Sequence, residues 1–550
     1  MAAPRNPSEL GQSDESLDKP SNGPEIEDVD TIDEEEDNGA GGSNFERGPD
    51  FDLEKGGEIE RTDSPEGGDD ELRREEAAEQ KEHELDPNVI VFDGPDDPGN
   101  PQNWSTLRRG CITVMLGLMT LCVTFASSVF STATVATAEL FDVSEEVMIL
   151  GTSLFVIGFA VGPLIWGPMS EVFGRKIPLF SGYAIFVIFN IPVAVAQNVE
   201  TIMLCRFFGG VFASTPLAVV GGALADMWDP VDRGVALATF ACSTFIGPTL
   251  GPILGGFITQ SHLGWRWTAW LTMIMAGTCG TIGLFVVPET NAQTILQTRA
   301  KEIRFRTKNW AVRAPIDEKP LDMRSIVNNY LTKPFRMLIQ EPILLLITLY
   351  MCLVYGMLYL FFESYPISFQ QERGWNAGVG ALPFLSLLVG VIFAGIFVTW
   401  LTKTRFARKL KKHGRVIPEE RLPPMILGAI MLPIGLFWFA WTSSPHISPW
   451  PQIIAGVPIA CGIFMIFLQG LVYIVDVYLM HANSAIAGNT MVRSLAGGGF
   501  PMFATAMYHN LGVPWATSLL GFLCVALMPV PVLFYVYGAK LRKLSKFSPY

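Results

Sequence analysis

The chain has 550 residues, of which 49% are hydrophobic, 53 are acidic and 39 are basic, for a formal net charge of −14. Residues 1–100 contain 33 acidic and 8 basic residues, a net charge of −25, so the other 450 residues have a net charge of +11. The sequence has no phosphate-binding loop, no metal-spaced cluster of His and Cys and no Gly-x-Ser-x-Gly turn. These absences argue against an ATP-driven pump, a metalloenzyme and a lipase.

Residues 1–100 form a segment rich in Gly, Ser, Pro and carboxylates and poor in aromatic residues. Such a segment cannot bury enough apolar surface to offset the entropy lost on ordering. We therefore predict a disordered, acidic N-terminal tail. Its acidic block at 33–37 fits either a docking site or an ordinary solvated tail.

Twelve apolar stretches between residues 111 and 538 are each long enough to cross a bilayer. Crossing takes ~20 mostly apolar residues in a helix, which satisfies its own backbone hydrogen bonds in lipid. The predicted spans are 111–138, 148–170, 177–197, 201–226, 234–259, 266–288, 341–366, 378–401, 424–442, 451–479, 484–509 and 514–538. We therefore predict an all-α membrane protein with a six-helix half at 101–288, a central loop at 289–340, a second six-helix half at 341–538 and a C-terminal tail at 539–550.

Basic residues are concentrated on one face of the predicted spans. That face has ten Lys and Arg in 299–336, eight in 403–421 and four in the C-terminal tail, whereas the opposite face has only Arg266 and Arg373. Because basic loops mark the cytosolic side, we predict that both termini are cytosolic.

The two halves form a parallel repeat. Predicted span 4 ends with Asp226, and predicted span 10 ends with Asp476 in the matching place. Parallel six-helix halves are typical of secondary transporters, which hold substrate at the midplane between the halves. Arg493 in predicted span 11 is within plausible reach of Asp476, so we interpret these two residues as a gate or a structural ion pair.

The loop after predicted span 2 reads GPMSEVFGRK at 167–176. Gly167 and Gly174 allow a tight turn, and Glu171, Arg175 and Lys176 place charge at the membrane edge. The run resembles the signature loop of the major facilitator superfamily, G-x-x-x-D-x-x-G-R-K/R, with Glu171 in place of the usual Asp.

This resemblance implies a charge relay between Glu171, Arg175 and Asp226 that holds the halves together on the cytosolic side. A stop-transfer loop with ordinary positive charge is the alternative interpretation.

Arg206 lies inside predicted span 4, in LCRFFGGVFA at 204–213. A charge within the membrane is costly and normally faces a cavity or a partner. The run resembles L-x-x-R-x-x-Q-G-x-G of the same superfamily, with the Arg kept and the Gln-Gly spacing lost. The resemblance implies a role for Arg206 in proton coupling, and the alternative is a side chain that reaches the outer headgroups.

Predicted span 5 contains GPTLGPILGG at 247–256. The residues of interest are Gly247, Pro248, Gly251, Pro252, Gly255 and Gly256. Three of the glycines fall on one helical face at a four-residue spacing that lets two helix backbones touch, and the two prolines kink the helix. The run resembles the antiporter motif of drug:proton exchangers in this superfamily, which implies packing across the interface between the halves. A plain glycine-packed helix pair is the alternative.

Glu363 is the only acid well inside the first span of the second half, in YGMLYLFFESYP at 355–366. An intramembrane carboxylate is a candidate functional group, and burial favours its protonated form. It would then bind a proton in one state and a cationic substrate in another. The run resembles fungal twelve-spanner drug and polyamine exporters, and an interfacial Glu near the outer helix end is the alternative.

Aromatic and polar residues are frequent on the predicted cavity helices. The cavity candidates are Ser127, Tyr355, Tyr359, Phe362, Gln469 and Tyr473. An apolar pocket with few polar anchors suits varied hydrophobic or cationic ligands. For any single ring among these, a lipid-facing position is the alternative, so only the cluster indicates a cavity.

Further runs resemble fungal drug:proton antiporters with twelve spans, among them DPGNPQNWS at 97–105, PEERLPP at 418–424 and VRSLAGGGFPMFATAMYHNLGV at 492–513. The resemblance covers residues 100–540 and implies a proton-coupled exporter of small hydrophobic or cationic compounds that works by alternating access. The alternatives are a polyamine or dedicated secondary-metabolite exporter and, more remotely, a membrane sensor on the same scaffold.

The expected partners are a small-molecule substrate, protons and the lipid bilayer, with no nucleic acid, no cofactor and no metal. We predict a monomeric, non-enzymatic, multi-pass protein of the plasma membrane, with the vacuolar membrane as the alternative.

Overall fold

The computed structural model describes residues 88–94, 96–318, 332–414 and 416–548. Most of the predicted acidic tail therefore lies outside the described residues. The described chain begins with a contact to the central loop: the backbone N–H of Arg313 donates to Asn88 (2.8 Å), and that of Ile90 donates to Arg313 (2.9 Å). Residues before position 101, the predicted start of the first half, thus make backbone hydrogen bonds with the central loop.

Long apolar helices dominate the described residues, and the only β contact among them is one bridge between Val89 and Arg313. Spans 1–6 are Thr106–Phe141, Glu145–Val172, Lys176–Ala194, Val199–Met227, Pro230–Gln260 and Arg266–Val286. Spans 7–10 are Pro342–Glu372, Ala377–His413, Pro418–Trp441 and Pro449–Tyr478. The last apolar segment, Ala482–Arg542, has 61 residues. A straight helix of that length would measure about 90 Å, three times the hydrocarbon core.

The chain reverses within this last segment at Gly512, whose φ of 72° and ψ of 159° are not helical. The hydroxyl groups of Tyr508 and Thr517 lie 3.2 Å apart, although residues nine apart in a straight helix are separated by about 13.5 Å along the axis. Span 11 is therefore 482–511 and span 12 is 513–542. The described residues thus contain twelve helices long and apolar enough to cross a membrane, and the predicted all-α transporter fold is confirmed.

Several helices are longer than the predicted spans. Span 1 begins at Thr106, where the Ser105 side chain caps the helix by accepting from the backbone N–H of Arg108 (3.4 Å). Span 8 continues to His413 through a π-helical turn at Thr402–Phe406. Hydropathy marks only the lipid-embedded part of a helix, whereas a capped helix continues into the headgroups and water.

Spans 1–6 and spans 7–12 form two six-helix halves, and we call the surface along which they meet the seam. Because each half has an even number of spans, span 1 begins and span 12 ends on the same membrane face. We call this the basic face, after the Lys and Arg residues of its loops, and the other the opposite face.

The central loop lies at the basic face and contains the helices Ala292–Thr307, Pro315–Glu318 and Lys333–Gln340. The Asn291 side chain caps the first of these by accepting from the N–H groups of Gln293 and Thr294. Arg299 on this helix donates to the Asp97 carboxylate (2.7 Å), which ties the segment before span 1 to the loop. The backbone N–H of Asp93 and the Arg299 guanidinium lower the pKa of Asp97 to about 2.

Candidate functional site

A hydroxyl contact joins the two halves in the middle of the seam. Ser127 in span 1 and Tyr359 in span 7 have hydroxyl oxygens 3.0 Å apart, and both side chains are buried. Ser127 uses its single hydrogen on the Thr124 carbonyl (2.6 Å), so Tyr359 is the donor to Ser127. The Tyr355 hydroxyl lies 3.5 Å from that of Tyr359 and extends the chain of hydroxyl groups into the second half.

Arg493 in span 11 lies beside this chain of hydroxyl groups. Its guanidinium carbon is 5.0 Å from the centre of the Tyr355 ring and 4.6 Å from that of Phe467. Across the seam, Phe245 of span 5 packs edge-on against Phe467 at 4.8 Å. Tyr359 also packs against Phe362 at 5.3 Å. The structure thus brings these aromatic residues together around a buried cation.

Arg206 is wholly buried among backbone carbonyl groups of spans 1 and 2. Its Nε donates to Gly151 (2.8 Å), and its terminal nitrogens donate to Ala126 (3.2 Å) and Ser127 (3.3 Å). Only 5% of the residue is exposed, so its side chain does not reach the headgroups. Its contact with the Ser127 carbonyl connects it to the hydroxyl chain at the seam.

Glu363 lies one helical turn beyond Tyr359 on span 7, toward the opposite face. It is half-buried, and its carboxylate has no hydrogen bond or ion pair with any residue that the structure describes. Glu145, at the start of span 2, is the charged group that acts on it electrostatically. The carboxylate therefore lies near the seam, close to the negative charge of the other half.

Two of the predicted cavity residues lie away from the central cluster. Gln469 lines a pocket at the basic face with Arg405 and Arg421. Tyr473 is buried against Phe534 of span 12, with ring centres 6.2 Å apart. The two residues are four apart on span 10 and so share one face of that helix. They lie nearer to the basic face of the membrane than the hydroxyl chain does.

The loop between spans 2 and 3 makes contacts on both sides of the seam. Arg175 Nε lies 3.1 Å from the Asp226 carboxylate within the first half. Glu171 accepts a hydrogen bond from the Asn483 side chain at the start of span 11, in the second half. Two members of the predicted relay are thus paired directly, and the third contacts the other half.

Glu289, which follows span 6, fixes the turn of this loop. Its carboxylate accepts from the backbone N–H groups of Arg175 (2.8 Å), just before span 3, and Lys176 (3.0 Å), the first residue of span 3. Gly174 has a φ of +81°, and a Cβ there would lie 2.6 Å from Glu289 Oε2. Glycine is therefore required at 174. Gly167 has open space around it, so the structure gives no steric reason for glycine there.

Asp476 pairs with Arg421, and the prediction that it pairs with Arg493 is wrong. Arg421 Nε lies 2.9 Å from the Asp476 carboxylate. The same guanidinium reaches the Pro230 carbonyl of the first half at 3.5 Å. Asp476 is at the basic end of span 10, whereas Arg493 is a dozen residues into span 11, so the two side chains lie at different depths.

The glycine stripe of span 5 packs within the first half, contrary to the interdomain packing that the resemblance implied. A Cβ at Gly247 would lie 2.7 Å from the Leu121 carbonyl, and one at Gly251 would lie 2.8 Å from the Val129 nitrogen, both in span 1. Gly255 likewise faces span 1.

Gly256 alone among these glycines faces the second half. A Cβ there would lie 2.7 Å from the Ala377 carbonyl at the start of span 8. Pro248 and Pro252 are both buried inside the span 5 helix. The rotation of the helix explains this difference. Residues four apart share one face, which meets span 1, and Gly256 lies about 100° around the helix from Gly255.

The halves touch at three depths in this structure. Hydrogen bonds join them between Glu171 and Asn483 at the basic face, Ser127 and Tyr359 in the middle, and Gln260 and Gly378 at the opposite face. The seam is therefore closed above and below its polar centre.

Three residues of this network were not predicted from the sequence: Glu289, Arg421 and Asn483. The internal repeat contained a signal for one of them, because Arg421 lies immediately before the α-helical part of span 9, which begins at Leu422, as Arg175 lies immediately before span 3. Glu289 accepts hydrogen bonds from backbone N–H groups, and Asn483 donates a hydrogen bond to a residue of the other half. Sequence spacing gives no signal for such contacts.

Two six-helix halves around a closed polar seam define the class of a membrane transporter. Residues 116–498 match the model of the Major Facilitator Superfamily. The chain belongs to the major facilitator superfamily and is a multi-pass membrane transporter.

Close relatives include transporters of fungal biosynthesis clusters. The chain is 54% identical to the citrinin biosynthesis cluster MFS transporter of Monascus ruber, covering 88% of this chain and 97% of the relative. It is 46% identical to the cercosporin MFS transporter of Cercospora nicotianae, over 84% and 90% of the two chains. A solved structure of the proton:xylose symporter XylE superposes with a TM-score of 0.56 at 15% identity, over 79% of this chain and 96% of that one. This last likeness concerns the fold alone.

Proposed function

We propose that this chain is a proton-coupled secondary active exporter of a small metabolite, working by alternating access. The observation that carries the proposal is the polar centre of the seam, closed by a cross-seam contact on each side. If the contact of Glu171 with Asn483 breaks while that of Gln260 with Gly378 holds, the centre opens to the basic face. The converse change opens it to the opposite face.

Glu363 is the proposed proton acceptor. A half-buried carboxylate without a hydrogen-bond or ion-pair partner among the described residues is costly to bury in its charged form. The seam therefore closes over Glu363 most readily when the carboxyl group is protonated. A proton bound from the opposite face would then be carried inward when the transporter resets.

The buried and membrane-edge charges have distinct proposed roles. Arg206 donates a hydrogen bond to the Ser127 carbonyl group and thereby positions Ser127. Through this contact it takes part in proton coupling. Arg175 and Asp226, together with Glu171, form the lock at the basic face. Asp476 forms the corresponding gate contact in the second half, with Arg421 rather than Arg493 as its partner.

The substrate is proposed to be a secondary metabolite that this cell exports. Two relatives support this choice, because one is named as a citrinin biosynthesis cluster transporter and the other as a cercosporin transporter. The aromatic rings of Tyr355, Tyr359 and Phe467 suit a planar ligand. Export of drugs or polyamines is the second candidate, favoured by the carboxylate of Glu363, which suits a cation.

The basic face is proposed to be cytosolic, because it has most of the loop Lys and Arg residues. We propose a monomer in the plasma membrane, with the six-helix halves bounded near 101–288 and 341–538.

Transport by purified protein in sealed vesicles tests this function. The vesicles have an acidic lumen, and the compounds offered outside are 1-naphthoate, its methyl ester and 1-naphthylmethylammonium. We expect protein molecules whose basic face points outward to accumulate at least one compound, and a protonophore to abolish the accumulation. Equal accumulation with and without the pH difference would contradict proton coupling, and no accumulation of any compound would contradict the proposed export.

A further inference from the structure

Four arginines are buried among the residues that the structure describes, and they fall into two pairs. Arg421 and Arg542 each have a carboxylate partner, Asp476 at 2.9 Å and Glu419 at 2.9 Å. Arg206 and Arg493 have none within the described ranges. A buried cation is normally paired, so the last two require a different explanation.

Arg206 is compensated by backbone groups. Its Nε and both terminal nitrogens donate to carbonyl oxygens at 2.8–3.3 Å. Carbonyl oxygens from two neighbouring spans thus surround the guanidinium. Its hydrogen-bonding capacity is largely used inside the first half.

Arg493 is not compensated in this way. Its Nε has no hydrogen-bond acceptor in the described structure. Its other contacts are with Asn489 (3.5 Å) and Thr490 (3.4 Å), which are longer than the 2.7–3.2 Å typical of protein hydrogen bonds. Only 6% of the residue is exposed. A guanidinium with five N–H donors thus lies buried at the seam with most of its donors weakly used.

The groups around Arg493 are suited to an aromatic acid. The rings of Tyr355 and Phe467 lie against the guanidinium, and Phe245 of the other half packs on Phe467. The Tyr355 hydroxyl, 3.5 Å from that of Tyr359, belongs to the same cluster, since the guanidinium carbon lies 5.0 Å from the centre of the Tyr355 ring. The planar fork of an arginine matches the two oxygens of a carboxylate, and aromatic walls suit a planar ring system.

From this arrangement, we propose that the seam binds a planar aromatic carboxylate, with Arg493 as the group that pairs with the substrate anion. The inference rests on the proposed export function and names the substrate class of the same site. The ligand supplies the missing negative charge, and its ring system packs against these aromatic residues when the halves separate along the seam. A cationic substrate is disfavoured at this position because it would face the Arg493 charge.

Binding to purified protein in detergent at neutral pH tests the proposal without requiring transport. The probes are 1-naphthoate, its methyl ester and 1-naphthylmethylammonium. We expect wild-type protein to bind naphthoate about tenfold more tightly than either of the other two, the effect of one charge-assisted contact. Equal or weaker binding of naphthoate overturns the proposal, whatever the variants do.

Variants assign the preference to one residue. Arg493→Gln is expected to bind the acid and the ester equally, and Arg493→Lys to retain part of the preference, because it keeps the charge and loses the fork. Arg408→Gln makes the same change of charge at an exposed site on the basic face and is expected to leave the preference intact. A preference that survives in Arg493→Gln overturns the assignment.

The two proposals fail separately. Acid-selective binding without proton-driven transport would contradict the proposed export and support the anion site. Proton-driven accumulation of the ester or the amine, without preferential binding of the acid, would support the proposed export and contradict the anion site.

Discussion

Arg421 lies with its guanidinium 2.9 Å from the Asp476 carboxylate, at the basic face of the second half. The pair occupies the place that Arg175 and Asp226 occupy in the first half, where the distance is 3.1 Å. In each half, the arginine just before the third helix holds the end of the fourth. Arg421 also contacts the Pro230 carbonyl, so the second pair extends across the seam.

Asp476→Asn is expected to destabilise the protein and slow transport. Removing one member of a buried ion pair leaves the other charge uncompensated, at a cost of about 3–5 kcal/mol. Thermal unfolding of the purified protein measures the first effect, and initial rates in vesicles measure the second. The pair of the exposed Arg405 with Glu420 (3.4 Å) provides the control: Glu420 keeps a second partner in Lys409 (3.4 Å), so Arg405→Gln is expected to cost no more than about 1 kcal/mol. Wild-type stability and rate in Asp476→Asn would contradict this role.

Glu363→Gln is expected to remove the dependence of transport on the pH difference. Glutamine keeps the shape of the protonated side chain but cannot release a proton, so the seam closes without proton uptake. Transport rates with and without a protonophore should then be equal. Glu372→Gln, on the exposed end of the same helix, is the matched control and should respond to the protonophore like wild type. Full proton dependence in Glu363→Gln would exclude this carboxylate as the acceptor.

Alanine at Gly251 and at Gly256 should have different effects. At Gly251 the added Cβ meets the Val129 nitrogen of span 1 at 2.8 Å, so we expect a loss of about 1–3 kcal/mol in folding stability. At Gly256 it meets the Ala377 carbonyl of the other half at 2.7 Å. There, we expect impaired closure of the seam and an altered transport rate, with a smaller change in unfolding temperature.

Gly221→Ala is the control for both alanine variants, since its Cβ would meet nothing within 4 Å. It should be neutral or slightly stabilising, because alanine favours helix over glycine by about 1 kcal/mol. Identical behaviour of the Gly251 and Gly256 variants in both assays would argue against the separate packing roles.

The Asp97 contact with Arg299 is expected to weaken only in strong acid. The pKa of Asp97 is lowered from 3.8 to about 2 by the N–H of Asp93 and by Arg299. A carboxyl group with a depressed folded pKa contributes its stability above the unfolded pKa and loses it as the pH falls through the folded value. The contribution is therefore full above pH 4 and fades toward pH 2.

Hydrogen exchange at the Gly99 amide, which donates to the Asp97 carboxylate (2.7 Å), measures this effect. Asp97→Asn should reduce protection of that amide at pH 5, and the difference from wild type should shrink near pH 2. A difference that stays constant between pH 5 and pH 2 would show that charge is not responsible.

The twelve spans and the parallel repeat were predictable because both are local properties of the sequence. A bilayer imposes a minimum apolar length on each crossing, and a helix satisfies its backbone without help from its neighbours. The repeat also placed Asp226 and Asp476 in matching positions. Their pairing with Arg175 and Arg421 confirms that the matching positions are structurally equivalent.

The partners of the polar side chains were decided by the tertiary structure. Asp476 binds Arg421 rather than Arg493, and the stripe of Gly247, Gly251 and Gly255 faces span 1 rather than the second half. Such contacts depend on the rotation of each helix about its axis and on the depth of each residue, which hydropathy does not specify. The sequence by itself therefore determined the number, order and class of the helices, whereas only their packing decided that Arg206 is enclosed by carbonyl groups while Arg493 remains uncompensated at the seam.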